Sequence, residues 1–169
     1  MKTNFMQKQY LRIFLYMLGI MITGLGINVL LRSTLGAGAW DTVTNNFSEL
    51  VHISLGTASA IINITVLLLV LIYNKQVKYL LILIPIVGIA LAIDFWDLIV
   101  FKEFEISQFL LQLVFFIIGG IILPLGLSLM IITKYPAMVY DELTISMMRM
   151  LKIKKFFNMR IAIELFAIA

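Results

Sequence analysis

The sequence predicts an all-α, polytopic transmembrane helix bundle, and three observations predict it. Of 169 residues, 62% are apolar, against the ~45–50% of an ordinary soluble domain. Uncharged stretches of 19, 22 and 28 residues match or exceed the ~20 that cross a bilayer core as a helix. The 13 basic residues also sort by side once the loops between these stretches are alternated. The absence of cysteine and the single histidine, His52, exclude disulfides, a Cys nucleophile and Cys- or His-rich metal sites.

The first uncharged run, Ile13 to Leu31, follows Lys2, Lys8 and Arg12, and its 19 residues exceed the ~7–15 of a signal-peptide core. Arg32 separates it from the small-residue Ala37-Gly38-Ala39 and further spans follow, so it reads as a retained span. The second run is Ile53 to Asn74, and the third, Tyr79 to Phe101, carries Asp94 and Asp97 in its second half. The fourth, Ile106 to Thr133, holds 28 residues and has room for tilt or a break. A fifth begins near Phe156, thirteen residues before Ala169, so about five spans are present.

Alternating these spans across a bilayer fixes the orientation. With the N-terminus in the cytoplasm, Lys2, Lys8, Arg12, Lys75, Lys78, Lys134, Arg149, Lys152, Lys154, Lys155 and Arg160 lie inside and only Arg32 and Lys102 outside, 11 against 2. That is the positive-inside pattern. It places the N-terminus on the cytoplasmic side and reads the Lys152, Lys154, Lys155 cluster as a loop facing anionic lipid, not nucleic acid.

An offset of 100 residues superposes the region after the first span on the region after the fourth. Gly19 meets Gly119, Gly24 meets Pro124, Leu25-Gly26 meets Leu125-Gly126, Gly36 meets Pro136, Trp40-Asp41 meets Tyr140-Asp141 and Thr44 meets Thr144. After each Asp the apolar positions recur at helical spacing, Val43, Phe47, Leu50, Val51 against Leu143, Met147, Met150, Leu151. A short helix is therefore expected after spans 1 and 4, with Asp41 or Asp141 as its N-cap. Three spans, an odd number, separate the copies, so the second is inserted upside down. This predicts a 3+3 inverted repeat in one membrane domain, half A about 11–101 and half B about 106–169, with the last half incomplete at its C-terminus.

The run GLGINVLLRSTLGAGAWDTV from Gly24 to Val43, followed by Ser54-Leu55-Gly56-Thr57 and the later Ile93-Asp94, resembles the YczE/YyaS/YitT group of bacterial integral membrane proteins, on the YczE side. Ala39 stands where that group's pattern has Pro, and Lys134-Tyr135-Pro136-Ala137-Met138 stands where a Gly-rich version is expected. The resemblance implies the fold and a location in the bacterial cytoplasmic membrane, and supplies no reaction or substrate.

Candidate site residues follow from polarity at membrane depth. Gly24, Gly26, Gly36, Gly38, Pro124, Gly126 and Pro136 are candidate helix breaks, tolerated at depth only where buried in protein or lining a cavity. Their alternative role is to let helices pack closely. Asp41, Asp141, Asp94, Glu164, Arg32 and Arg160 are candidates for a polar path or substrate site, because a charge in the core costs at least ~2.5–3.5 kcal/mol on insertion scales. For Asp94 the structural alternative is an ion pair with Arg32, and Arg160 and Glu164, four apart, can pair with each other. Trp40, Tyr140 and Trp96 read as interfacial aromatics. Catalytic templates are absent from the sequence, so no enzyme, metal or cofactor is expected. The expected partner is the bilayer. A transporter-like or permease-like protein with a small-molecule or ion substrate is one reading; a non-transporting accessory or scaffold protein, as a homo-oligomer or beside a membrane partner protein, is the other.

Overall fold

The computed structural model describes residues 2–168 except 103, 105, 137 and 154, with side chains described over 8–167. Ala137 of the repeat and Lys154 of the basic cluster therefore lie outside the described residues. Among those described, every regular element is helical: α1 (Lys2–Arg32), α2 (Ala39–Val51), α3 (Leu55–Asn74), α4 (Leu83–Asp94), α5 (Phe109–Ile132), α6 (Val139–Leu151) and α7 (Phe156–Ile168). A 3₁₀ turn (Val77–Ile82) leads into α4 and a π turn (Phe95–Val100) leads out of it. Four helices are long and apolar enough to cross a membrane, with bounds Lys8–Arg32, Leu55–Asn74, Val77–Val100 and Phe109–Ile132. The fifth expected span is the 13-residue α7, about 20 Å long at ~1.5 Å per residue.

Two long helices, α1 and α5, form the spine, and small residues let them touch. A Cβ on Gly26 would lie 2.6 Å from Leu123 Cα, and one on Gly126 2.6 Å from Thr23 N. Further out, a Cβ on Gly19 would lie 2.8 Å from Met130 Cγ and one on Gly119 2.8 Å from Leu30 Cγ. Residues advancing along α1 meet residues receding along α5, so the two are antiparallel. The contacts also come in pairs that exchange when 100 is added to one partner and subtracted from the other, as across an isologous interface. Gly24, Gly26, Pro124 and Gly126, four of the expected breaks, lie inside the unbroken α1 and α5. Glycine at these positions admits a neighbouring backbone, which is how helices associate where lipid removes the hydrophobic drive. Pro124 lies inside α5, which gives up one i→i−4 hydrogen bond there.

The breaks fall between helices. Each connector, 33–38 and 133–138, opens on a left-handed residue, Thr34 (φ 56°) or Lys134 (φ 61°). Ahead of it a hydroxyl closes the helix: Ser33 Oγ donates to Leu30 O at 2.6 Å and Thr133 Oγ1 to Met130 O at 2.5 Å. Gly36 (φ 145°) then takes a conformation that favours glycine. The N-caps of α2 and α6 are Gly38 and Met138, both extended. Asp41 and Asp141 are thus third in their helices, not N-caps as expected, because Ala39-Trp40 and Val139-Tyr140 are already helical. An acid in the first turn still faces the positive end of the helix dipole. Both helices end alike, on left-handed His52 (φ 57°) and Lys152 (φ 57°), with Ile53 N and Ile153 N donating back to Ser48 O and Met148 O.

On its other side α1 is covered by α4. Ile20 packs on Gly88, Gly24 on Ala92, and the buried Asn28 amide donates to Ile93 O at 3.1 Å. The corresponding face of α5, Gly120, Pro124 and Ser128, is exposed, and a Cβ on Gly120 would meet nothing within 4 Å.

Candidate functional site

The N-termini of α2 and α6 meet inside the bundle. Trp40 and Tyr140 stack there, ring centroids 4.6 Å apart at 22°, beside Ile27, Leu123 and Leu127, which adjoin the centre of the α1–α5 crossing. From this meeting point the helices run to opposite ends of the bundle. The last turn of α2 leads through His52 to Ser54, whose hydroxyl donates to Asp94 at the end of α4 (2.8 Å). Near the last turn of α6, Ser146 Oγ accepts from Asn74 Nδ2 (2.7 Å) and Arg149 Nη1 donates to Asn74 Oδ1 (3.2 Å), at the far end of α3. Each connector has only six residues, a reach of about 20 Å, so each returns its chain from the end of α1 or α5 to the centre. Trp40 and Tyr140, expected as separate interfacial anchors, are brought together by these returns.

Four of the expected polar residues converge at this point. Arg160 on α7 pairs through Nη1 with Asp141 Oδ1 (2.9 Å) and through Nε with Glu164 Oε1 (2.8 Å), and its guanidinium lies 6.0 Å from the Tyr140 ring. Asp41, Arg160 and Glu164 line one cavity of about 150 Å³ with Trp40 and Tyr140. A smaller cavity beside it is walled by Asp41, Thr44, Ser59, Asn63 and Tyr140. At the end of the bundle where α5 stops, Asp141 and Glu142 face Lys78, Lys134 and Tyr135 across a wider cleft of about 490 Å³. Arg12 and Tyr16 pin that connector: Arg12 Nε donates to Thr133 O at 3.0 Å and Tyr16 Oη to Pro136 O.

Electrostatics set Asp41 apart. No ion pair engages it among the described residues, whereas Arg160 holds both Asp141 and Glu164. Its Oδ2 folds back over Gly38, where an added Cβ would lie 2.7 Å from it.

Asp94, Arg32 and Trp96 sit elsewhere. Asp94 accepts from Ser54 Oγ (2.8 Å) and Gly56 N (2.7 Å), capping α3 from the end of α4. Arg32 pairs with Asp97 (2.8 Å), not Asp94. Trp96 donates to Met21 O (2.9 Å), clasping the π turn to α1. The competition that decides this is local: a helix N-terminus offers Asp94 two donors at once, whereas Arg32 reaches the carboxylate one turn further on. Asp94→Ala is expected to cost about 1–2 kcal/mol, the loss of a helix cap, read as a lower unfolding temperature in detergent, with the central cluster's behaviour retained. A change in that cluster as large as that caused by Asp41→Asn would contradict this assignment.

Ser59, Asn63 and Thr44 are the wall residues that sequence reasoning missed as a group. Their only signal was spacing: Ser59 and Asn63 are four apart on α3, and Asn63 Nδ2 donates to Ser59 O and Oγ. Thr44 was matched to Thr144 in the repeat but had no assigned role.

Residues 10–169 match the family described as "Family of unknown function (DUF6198)". The uncharacterized protein YyaS of Bacillus subtilis (strain 168) is 28% identical over 130 residues, which cover 77% of this chain and 65% of that protein. No solved structure matches.

Proposed function

Starting from the fact that the chain belongs to this family of unknown function, we propose that it is a small transporter-like or permease-like protein of the bacterial cytoplasmic membrane. Its polar path runs between two inverted halves, and its N-terminus is cytoplasmic. One observation carries the reading: two 13-residue helices, α2 and α6, start back to back at the centre of the bundle and leave toward opposite ends. At ~1.5 Å per residue each is about 20 Å long, long enough to run from the midplane to one surface of a ~30 Å core. Discontinuous helices with their N-termini at the midplane are how many inverted-repeat transporters present a site to polar cargo, and irregular backbone at that depth is tolerated where it is buried in protein or lines a cavity.

Supporting this, the path has polar walls at the centre, Asp41, Thr44, Ser59 and Asn63, and a charged cleft at the end that, with Arg160 now at the centre, a 10 to 2 sidedness of the other basic residues assigns to the cytoplasm. The exchanging α1–α5 contacts and the equal lengths of α2 and α6 support the 3+3 inverted repeat. In that repeat the open face of α5, Gly120, Pro124 and Ser128, is the counterpart of the α1 face that α4 covers. No catalytic step belongs to this reading.

The test is reconstitution of the whole protein in liposomes with a panel of ions and metabolites. Saturable flux is expected, reduced at least about tenfold by Arg160→Gln, the loss expected for one charge-assisted contact. Absence of flux and of binding across the panel, with Arg160→Gln indistinguishable from the parent in ligand-induced thermal shifts, would sink the proposal.

A further inference from the structure

The central cluster holds three carboxylates, Asp41, Asp141 and Glu164, and one guanidinium. Arg160 bonds Asp141 at 2.9 Å and Glu164 at 2.8 Å, so both of its contacts are committed. Asp41 lines the same cavity as Glu164 but has no ion-pair partner among the described residues. Lining the cavity with it are Arg160 and Glu164 from α7 and Tyr140 from α6, and Asp141, next to Tyr140, is paired with Arg160. The residues of α1, α3, α4 and α5 that line its two cavities are uncharged, among them Ile27, Ser59, Asn63, Ile86, Ile89 and Leu123. A half-buried carboxylate placed this way beside a second one is stabilised by binding a positive charge, and a proton fits without coordination geometry.

Asp41 and Asp141 occupy the same place in α2 and α6, each third from the helix start, either side of the stacked Trp40 and Tyr140. The cation that holds Asp141 has no counterpart beside Asp41, because the residue 100 before Arg160 is Ala60. One arginine thus stands near two equivalent acids and pairs with one of them.

We propose that Asp41 is a proton site: it takes a proton from water in the adjoining cavity while Arg160 is committed to Asp141 and Glu164, and returns that proton when Arg160 turns toward it. This rests on the transport reading and names the ion coupled to it.

The experiment is an infrared titration of protonated-carboxyl absorption for the 169-residue chain in lipid nanodiscs. In the parent a band titrates with its midpoint clearly above the ordinary ~4 of a free carboxyl. Asp41→Asn abolishes it and Asp41→Glu keeps it. Glu164→Gln, which removes the neighbouring negative charge, moves the midpoint down, whereas Arg160→Gln moves it up. A band that survives Asp41→Asn unchanged, or an Asp41 midpoint near the ordinary ~4, overturns the proposal. Should Asp41→Asn fail to fold, the opposite shifts in Glu164→Gln and Arg160→Gln decide the matter, and shifts in the same direction overturn it. Liposome flux separates this from the parent reading. Flux with no high-midpoint Asp41 removes the proton site alone, whereas the titration without flux of any cargo removes the transport reading and leaves Asp41 a proton site.

Discussion

Gly26→Ala is expected to destabilise the bundle by about 3 kcal/mol, the upper part of the range for overpacked cores, while Gly120→Ala, one helix away, leaves it unchanged or slightly more stable. The added methyl at Gly26 would lie 2.6 Å from Leu123 Cα and 2.7 Å from Leu123 N. Those are backbone atoms, which cannot rotate aside as the end of a side chain can, so α1 and α5 must separate. Separation loosens the paired contact at Gly126, whose own Cβ would meet Thr23 N at 2.6 Å, so one methyl disturbs both sides of the crossing. At Gly120 a Cβ meets nothing within 4 Å, and Ala gains the up to ~1 kcal/mol by which it exceeds Gly in helix propensity. The propensity gain is the same at both positions, so the difference between the two variants isolates the clash. Thermal unfolding in detergent, followed by circular dichroism, measures it. Equal stabilities for the two variants would mean that α1 and α5 do not touch through Gly26.

The span boundaries were legible in the sequence because membrane depth imposes a long apolar run, and charge ends it. The four long helices fall on the expected runs, although α1 begins earlier and α5 later than the uncharged stretches do. The presence of α2 and α6 was legible for a different reason, although their starts fall earlier than the Asp positions: the same amphipathic spacing occurs twice at a fixed offset, and two copies reinforce each other. What spacing cannot carry is which partner a residue finds. Gly26 and Gly36 look alike in the chain, yet one receives a neighbouring backbone inside a continuous helix and the other bends a connector. Asp94 and Asp97 stand one turn apart, and only the approach of the α3 N-terminus to one and of Arg32 to the other tells the cap from the ion pair. Trp40 and Tyr140 were visible as a matched pair of positions. Their stacking depends on both connectors turning back into the bundle, a fact of three dimensions. Asp41, Asp141, Arg160 and Glu164 were each visible as charges at depth, but their assembly into one cluster follows from that same return.

Arg160→Gln is expected to cost about 2 kcal/mol at pH ~8, between the value of an exposed pair and that of a buried one, because its partners are partly exposed, 51% for Asp141 and 31% for Glu164. The pH dependence gives the test its discrimination. As a proton site, Asp41 keeps its proton above the ~4 of a free carboxyl. Just above that value the folded chain binds the proton and the unfolded chain does not, so this group's contribution to stability falls as pH rises through that window. Removing Arg160 leaves three carboxylates facing one another with no guanidinium, so the folded chain gains more from protons than before. The variant should therefore lose stability more steeply than the parent as pH rises, and the gap between them should narrow as pH falls toward ~4. Adding Asp141→Asn to Arg160→Gln removes one of the stranded charges and should recover part of the loss, a non-additivity expected of groups in one network. A gap that is independent of pH, with no recovery in the double variant, would mean that Arg160 contributes by packing its stem against Tyr140 and not by holding the carboxylates apart.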